Sequence, residues 1–460
     1  MQSAASCPQE VIQSTNGLVV AGKMLRCALH NVLFIKYPME NATAAPPAVL
    51  LKNVERAARN LKHVIYKTPL LQNHGLSRLY DATVLLKRED LQVVRSYKIR
   101  GAYHKMSTLP PIIGEREIVC ASAGNHAQGV AYACQLLGLK GYIFMPAQTP
   151  AQKVDKVRLF GKEFVEVVLV GASFDDSFRA AKDFSDARGS TFIHPFDDLA
   201  IVEGQATVGL EILKAATVPI DYCFLPIGGG GLASGVGSVF RLLSPATKLI
   251  GVQPLGAPSM HNAIRNQRHA ALASIDSFVD GAAVKCPGEL TYALCRELLD
   301  EVVLVPEGQV CLDLLKMYNE EGIVLEPAGT LTISALHQFR DRIRGKTVVC
   351  VVSGSNNDIT RMEDIKERAA KYQGLKHYFM VNFNQAPGAL RRFVNRVLHE
   401  DDDIIHFQYI KKNNKEKGPV FVGIEVKSPP DVEAIKARMG EEGFSFEYLN
   451  GQPDFLALLV

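Results

Sequence analysis

Thr83-Val84-Leu85-Leu86-Lys87 is followed, after a polar interval, by Arg95-Ser96-Tyr97-Lys98-Ile99-Arg100-Gly101. The first stretch is apolar and β-branched and predicts a strand, and Lys98 stands where the next helix should begin. A lysine at a helix start lies near unpaired backbone N–H groups and the positive end of the helix dipole. With partial burial, that environment disfavours the ammonium form and favours an amine nucleophile. A surface lysine in a first helical turn is the alternative, and the rest of the chain must decide.

Outward from this stretch, strand-like and helix-like segments alternate. Strands are predicted at 118–121, 140–145, 163–168, 191–194, 222–226, 248–253, 301–305 and 346–352, with helices between them. Apolar strands that alternate with helices predict parallel sheets covered on both faces, so the fold class is α/β. Ligands in such sheets bind beyond the carboxyl ends of the strands, in the loops that lead into helices.

The first such loop is Ser122-Ala123-Gly124-Asn125-His126. It follows a predicted strand and opens a helix, so its small residues allow backbone amides to approach an anion closely. Ser122 and Asn125 add side-chain donors. A helix N-cap with turn glycines is the alternative interpretation.

The second loop is Gly228-Gly229-Gly230-Gly231, between the strand YCFLPI and a helix predicted to begin at Leu232. Four consecutive glycines are costly in chain entropy, and they fit a place where several backbone N–H groups point into one anion site. The sequence matches neither a P-loop nor the spaced dinucleotide fingerprint. A flexible loop is the alternative, but the strand before it and the helix after it favour a phosphate site.

The third loop is Ser353-Gly354-Ser355-Asn356, after the strand TVVCVV. The Ser353 hydroxyl at this strand end could bond a ring nitrogen of a heterocycle. By itself this signal is weak, because any Ser-Gly turn looks the same.

A lysine able to form an imine, a glycine cradle for a phosphate and polar loops around a planar ring together describe a pyridoxal phosphate site. The chain resembles the fold type II pyridoxal phosphate enzymes and, among their serine/threonine dehydratases, the biosynthetic threonine dehydratases (threonine ammonia-lyases). The motifs that carry the resemblance are SYKIRGA, SAGNHAQGVA, GGGGLASG, LEPAGT and SGSN. The resemblance spans roughly residues 51–460 and implies two parallel-sheet αβα subdomains in a catalytic domain of residues 47–367.

The resemblance also implies roles for individual residues. Lys98 would bind the cofactor as an imine and, once released by substrate, take the α-proton; Tyr97 would flank the cofactor. Asn125 would bond the ring hydroxyl and Ser353 would face the pyridine nitrogen. The cradle Gly228, Gly229, Gly230 and Gly231 would bind the phosphate. The substrate carboxylate would lie on Ser122, Ala123, Gly124, Asn125 and His126.

The chain departs from the family pattern at two positions where glycine is common and at one position that belongs to a cation site in some relatives. Ala206 and Ser355 stand where glycine is common, and both are small substitutions. Glu211 corresponds to a cation ligand in some relatives, but Thr217 replaces the acidic residue that usually accompanies it. No metal site is therefore predicted.

The C-terminal segment, residues 368–460, reads as βαββαβ, the ferredoxin-like order. It resembles the ACT-like regulatory domain of biosynthetic threonine dehydratases, with room for one such unit. Its first strand–helix loop, Asn384 to Gly388, is where such domains commonly meet an amino-acid effector. A domain that only mediates assembly is the alternative. The resemblance suggests a homotetramer or homodimer.

Composition excludes several classes of partner. The formal net charge of +3 over 460 residues gives no reason to expect nucleic acid or an anionic membrane. The nine cysteines include no Cys-x-x-Cys pair, which fits a reducing, cytoplasmic compartment and argues against structural zinc. Residues 1–46 are predicted to be a poorly ordered extension or a targeting segment, in which case the location is organellar.

Three hypotheses follow. The first is dehydration and deamination of L-threonine to 2-oxobutanoate and ammonia, the first committed step of isoleucine synthesis, with isoleucine as feedback inhibitor. The second is a serine-preferring or catabolic dehydratase, or a serine racemase, which shares the cofactor motifs but usually lacks the C-terminal domain. The third is an amino-acid sensor with a decayed catalytic half, which the presence of every cofactor motif disfavours.

Overall fold

The computed structural model describes residues 48–110, 116–410 and 416–452. The predicted extension or targeting segment at 1–46 lies outside the described residues. The helices of the described chain are α1 Leu51–Leu61, α2 His74–Tyr80, α3 Lys98–Ser107, α4 Asn125–Leu137, α5 Ala151–Gly161, α6 Phe174–Arg188, α7 Leu199–Ala215, α8 Gly231–Leu243, α9 Ser259–Arg265, α10 Glu289–Leu298, α11 Glu307–Glu321, α12 Pro327–Ser334, α13 Leu336–Phe339, α14 Met362–Tyr372, α15 Ala389–Arg396 and α16 Asp431–Glu441.

The strands of the same described ranges form three sheets. They are β1 Leu70–Gln72, β2 Thr83–Arg88, β3 Glu117–Ala121, β4 Lys140–Met145, β5 Val165–Leu169, β6 Thr191–Phe192, β7 Tyr222–Pro226, β8 Lys248–Pro254, β9 Glu301–Val305, β10 Thr347–Val352, β11 Lys376–Asn384, β12 Asp403–Tyr409, β13 Lys417–Glu425 and β14 Ser445–Tyr448.

The first sheet has six strands in the order β1-β2-β10-β7-β8-β9. All its pairs are parallel except β1 with β2. Its strands carry apolar residues on both faces because helices cover both faces: Phe224 and Val348 pack into one core, Leu225 and Val349 into the other.

The second sheet has four strands in the order β5-β4-β3-β6, all parallel. Ile143 of β4 packs under α4 and α5, while Tyr142 and Phe144 pack against α6 on the other face. These two sheets are the parallel αβα subdomains expected of the α/β class, and that prediction is confirmed. The strand predicted at 163–168 begins only at Val165, because Lys162, with φ of 49°, starts a single 3₁₀ turn before it.

The C-terminal unit is a four-stranded antiparallel sheet in the order β12-β13-β11-β14. In chain order this is the ferredoxin-like arrangement with α15 and α16 packed on one face, as predicted. The core on that face is built around buried Phe379, Phe383 and Phe393. Helix α14 leads into this unit and packs closely on α11, where a Cβ on Gly308 would lie 2.4 Å from Tyr372 Cβ.

No helix within the described ranges is long and apolar enough to cross a bilayer.

Candidate active site

The two parallel sheets enclose one large cavity at the carboxyl ends of their strands. Its volume is about 730 Å³, within the range of small-molecule sites. Every residue that the sequence marked for the cofactor or the substrate lines it: Tyr97, Lys98, Ser122, Ala123, Gly124, Asn125, His126, Gly228, Gly229, Gly230, Gly231 and Ser353. The structure thus brings together residues that are up to 256 positions apart in the chain (97 to 353).

Lys98 is the first residue of α3, and its Nζ donates a hydrogen bond to the carbonyl oxygen of Pro195 at 2.8 Å. Burial lowers the pKa of Lys98 to about 8, and the carboxylate of Glu326 partly opposes that shift. The helix is fixed by close backbone approaches: a Cβ on Gly204 of α7 would lie 2.6 Å from the Arg100 carbonyl oxygen. The amine is therefore held in place and is partly neutral near neutral pH.

A pair of backbone hydrogen bonds joins the loop before Lys98 to the loop after β10. The Tyr97 N–H donates to the Ser353 carbonyl oxygen at 3.2 Å, and the Ser355 N–H donates to the Arg95 carbonyl oxygen at 2.9 Å. Ser353 is 4% exposed, and its hydroxyl donates to the Ala328 carbonyl oxygen at 3.3 Å. Ser353 therefore lies on the cavity wall beside the lysine.

The loop at 122–126 closes another side of the cavity. Ser122 Oγ accepts a hydrogen bond from the Gly124 N–H at 3.2 Å, and α4 begins at Asn125. The His126 ring is buried and bonds the Ile193 carbonyl oxygen at 2.9 Å, and burial lowers its pKa to about 3. Because this ring is neutral and occupied, the backbone amides of the loop, and not the imidazole, are suited to an anion.

The glycine loop forms the opposite wall. Added Cβ atoms would lie 2.3 Å from the Phe196 ring at Gly229 and 2.8 Å from Met260 at Gly230, whose φ of +97° also favours glycine. Helix α8 begins at Gly231, and the first N–H groups of a helix have no acceptor within the helix. The loop is therefore a tight cradle of backbone donors at the positive end of a helix dipole.

The buried carboxyl of Glu326 was not assigned a role from the sequence, although LEPAGT contains it. Its Oε1 accepts a hydrogen bond from Asn125 Nδ2 at 2.7 Å, and its Oε2 accepts one from the Asn356 N–H at 3.2 Å. Burial raises the pKa of Glu326 to about 7, and nearby Asp280 adds to the shift. A strongly perturbed carboxyl in a cleft is typical of functional sites.

A largely buried set of four charges packs behind the start of α3. Arg100 pairs with Glu89 and with Glu211, each at 2.7 Å, and Lys87 pairs with Glu211 at 2.6 Å. The Glu211 carboxylate, which in some relatives corresponds to a cation ligand, is thus held by two side-chain cations. No group of three or more metal-binding side chains occurs in the described part of the chain.

Ser277 and residues 280–286 line the cavity, and their neighbours contact helix α14. Asp280 pairs with Lys153 of α5 at 2.8 Å and with Arg361 at 3.6 Å. The Phe278 ring contacts two guanidinium groups, that of Arg368 at 4.2 Å and that of Arg361 at 5.0 Å from the ring centroid. Arg361 and Arg368, just before and within helix α14, therefore hold a segment that also lines the cavity.

These features fit pyridoxal phosphate. The glycine loop, with its backbone donors at the start of α8, suits a phosphate ester, and the Lys98 amine with its lowered pKa suits an imine. Asn125 and Ser353 supply polar groups around the space between them. The chemistry that this arrangement supports is removal of a proton next to an amino group.

Two family models match the chain in succession. The model described as pyridoxal-phosphate dependent enzyme matches residues 61–354, and the model described as the C-terminal regulatory domain of threonine dehydratase matches residues 367–459.

Curated proteins and solved structures show the same likeness. The chain is 50% identical to a biosynthetic L-threonine dehydratase of Halalkalibacterium halodurans and 48% identical to one of Bacillus subtilis, in each case over 90% of this chain and at least 98% of the relative. A processed threonine deaminase isoform of Solanum lycopersicum is 35% identical with a TM-score of 0.65, covering 74% of this chain and 99% of that one. Maize serine racemase is 26% identical with a TM-score of 0.65, covering 71% and 99%.

Proposed function

Because the chain belongs to the pyridoxal-phosphate dependent enzyme family, and to those members that carry the regulatory domain of threonine dehydratase, we propose that it is a biosynthetic L-threonine dehydratase. It converts L-threonine to 2-oxobutanoate and ammonia, the first committed step of isoleucine synthesis. The observation that carries this conclusion is the 50% identity to a biosynthetic L-threonine dehydratase over 90% of the chain, which includes both domains.

Pyridoxal phosphate, when bound, withdraws electrons from the substrate α-carbon and so acidifies its proton. Lys98 Nζ takes that proton, because its lowered pKa leaves part of the amine neutral. Loss of the β-hydroxyl as water then gives an enamine, which tautomerises and is hydrolysed to 2-oxobutanoate and ammonia. Elimination releases one water and hydrolysis consumes one, so the overall products are 2-oxobutanoate and ammonia.

The chain's own residues would bind and orient the reactants. The backbone amides that follow Ser122 would hold the substrate carboxylate, and the cradle of Gly228 to Gly231 would hold the cofactor phosphate. Ser353 would face the pyridine nitrogen as a neutral hydroxyl. A hydroxyl stabilises a protonated ring nitrogen less than a carboxylate does, which favours elimination over transamination.

We further propose that isoleucine inhibits the enzyme through residues 368–460, with residues 47–367 as the catalytic domain. Contacts along α14 support a route between the two domains. Glu367 accepts hydrogen bonds from Tyr378 Oη at 2.6 Å and Lys376 Nζ at 2.9 Å, both on β11 of the C-terminal sheet. Arg368, the next residue of α14, pairs with Asp276 at 3.1 Å, directly beside Ser277 on the cavity wall. A shift of α14 would therefore reach residues 276–286.

The test is release of 2-oxoacid from L-threonine and from L-serine, each with and without isoleucine. We expect faster turnover of threonine, suppressed by isoleucine. Equal or better turnover of serine with no response to isoleucine would instead support a catabolic serine/threonine dehydratase whose C-terminal domain serves assembly. Formation of D-serine from L-serine would indicate the racemase alternative.

Assembly and location are part of the same proposal. We expect a homotetramer or homodimer, which light scattering after gel filtration would measure. We also expect a cytoplasmic enzyme, because all seven cysteines in the described ranges are free thiols, as is usual in a reducing compartment.

A further inference from the structure

Asn125 faces the cavity with an amide whose orientation is set by its neighbours. Asn356 Nδ2 donates to the Val94 carbonyl oxygen at 2.9 Å and to Asn125 Oδ1 at 2.7 Å. A backbone carbonyl can only accept, so the atom of Asn356 that faces Val94 must be the amide nitrogen. The same nitrogen can only donate, so the atom of Asn125 that faces it must be the oxygen.

Glu326 binds the nitrogen end of the same Asn125 amide. With its oxygen bound by Asn356, Asn125 presents its NH₂ group to Glu326 Oε1 at 2.7 Å. An amide nitrogen has two N–H groups, and Glu326 accepts only one of them. The other is left for a ligand in the cavity that Asn125 lines.

The Glu326 carboxyl is itself held rigidly. Glu326 is 4% exposed, and its Oε2 accepts from the Asn356 N–H at 3.2 Å. A Cβ on Gly354 would lie 2.5 Å from Oε1, so only glycine at that position leaves room for the carboxyl. Because the acceptor cannot move away, it constrains the amide that it binds.

We propose that Glu326 is a positioning residue that holds Asn125 as a hydrogen-bond donor toward the ring oxygen of the bound cofactor. Without Glu326, Asn125 Nδ2 loses its acceptor and the Asn356 N–H loses its own, so the pair of amides is no longer held at a fixed angle toward that ring oxygen. The inference rests on the proposed cofactor but not on the identity of the substrate. Its test therefore uses cofactor binding in the absence of amino acid.

The experiment measures the affinity of the apoenzyme for pyridoxal phosphate by equilibrium dialysis, together with the absorbance spectrum of the bound cofactor. Glu326→Leu should lower the affinity about tenfold, as expected when a hydrogen bond is lost. Glu326→Gln keeps one acceptor and should stay within about threefold of wild type. If Glu326 instead acted as a proton acceptor or as a charge, Gln and Leu would be equally harmful, and the proposal would be wrong.

A double-mutant cycle separates positioning from general damage. In an Asn125→Ala background, Glu326→Leu should change cofactor affinity by less than about twofold, because there is no amide left to orient. The same tenfold loss in both backgrounds, or no loss in either, would refute the inference. If Glu326→Leu does not fold, Glu326→Asp replaces it, since Asp keeps the charge but withdraws the carboxyl by one methylene.

Glu203 provides a matched control. It too is a buried carboxylate, 3% exposed, that accepts from an asparagine amide, with Asn53 Nδ2 at 2.6 Å, but it does not line the cavity. Glu203→Leu should lower the melting temperature and leave the cofactor affinity and spectrum unchanged. A spectral change in Glu203→Leu equal to that in Glu326→Leu would overturn the specific role of Glu326.

Discussion

The Tyr97 N–H donates a hydrogen bond to the Ser353 carbonyl oxygen at 3.2 Å. This bond holds the loop that carries Lys98 against the loop that carries Ser353, the residue proposed to face the ring nitrogen. Because backbone atoms make it, the spacing between Lys98 and Ser353 does not depend on side-chain rotamers. The parallel pairing of β2 with β10, the strands that precede these two loops, therefore sets the relative positions of the Lys98 and Ser353 backbones.

Replacement of the lysine should remove the chemistry without unfolding the protein. Lys98→Ala leaves no amine to form the imine or take the α-proton, so kcat should fall at least about a thousandfold. Steady-state release of 2-oxobutanoate measures this, and thermal unfolding of the apoenzyme checks the fold. Full turnover by Lys98→Ala would overturn the mechanism.

The pH dependence of kcat should report the lysine. Its pKa is lowered to about 8, and the neutral amine is the active base, so kcat should rise with pH and level off above about 8. Because kcat reports groups in the enzyme–substrate complex, the profile should be recorded at saturating threonine. A flat profile between about pH 6 and 9 would contradict this assignment.

Crowding the glycine loop against its neighbour should weaken cofactor binding. Gly229→Ala places a Cβ 2.3 Å from the Phe196 ring, so the loop must move, and we expect the affinity for pyridoxal phosphate to fall about tenfold. Dialysis of the apoenzyme measures it. Gly440→Ala is the control, because a Cβ there meets no atom within 4 Å in helix α16. It should leave affinity unchanged and raise stability slightly.

Loss of Arg368 should uncouple the two domains. Arg368→Ala removes the pair with Asp276 and the contact with Phe278, so isoleucine should inhibit less while kcat changes little. Isoleucine binding should be retained and can be measured by calorimetry. Arg342→Ala is a matched control, because Arg342 likewise lies 4.2 Å from a phenylalanine ring and pairs with Glu301 at 2.9 Å. Equal inhibition in the two variants would argue against the route along α14.

Removal of one member of the buried charge set should lower the free energy of unfolding. Lys87→Met leaves Glu211 without one of its two cations and should reduce the free energy of unfolding by about 3 kcal/mol. Adding Glu211→Leu should restore part of this loss, because Arg100 still pairs with Glu89. Urea unfolding measures both. Lys366→Ala, which breaks an exposed pair with Glu363, should cost less than about 0.5 kcal/mol.

The alternation of strands and helices, and the loops at their carboxyl ends, could be predicted from the sequence. The strands at 140–145, 222–226 and 301–305 have the bounds that the sequence predicts. The sequence signals for strands and for functional loops are both local. An apolar run bounded by turn residues indicates a strand. Glycines or a lysine at the end of a strand indicate the chemistry of the loop that follows. The ferredoxin-like order of the last 93 residues (368–460) was likewise readable from the pattern alone.

Only the tertiary structure decided which side chains pair across the chain. Asn125 and Glu326 are 201 positions apart, and Lys87 and Glu211 are 124 apart. No periodicity links such residues, because their contact depends on how the sheets and helices pack. For the same reason the sequence presented Glu211 as a doubtful cation ligand, whereas the fold surrounds it with Lys87 and Arg100. The sequence by itself determined the elements and the chemistry of each loop; packing decided the partners that orient the catalytic groups.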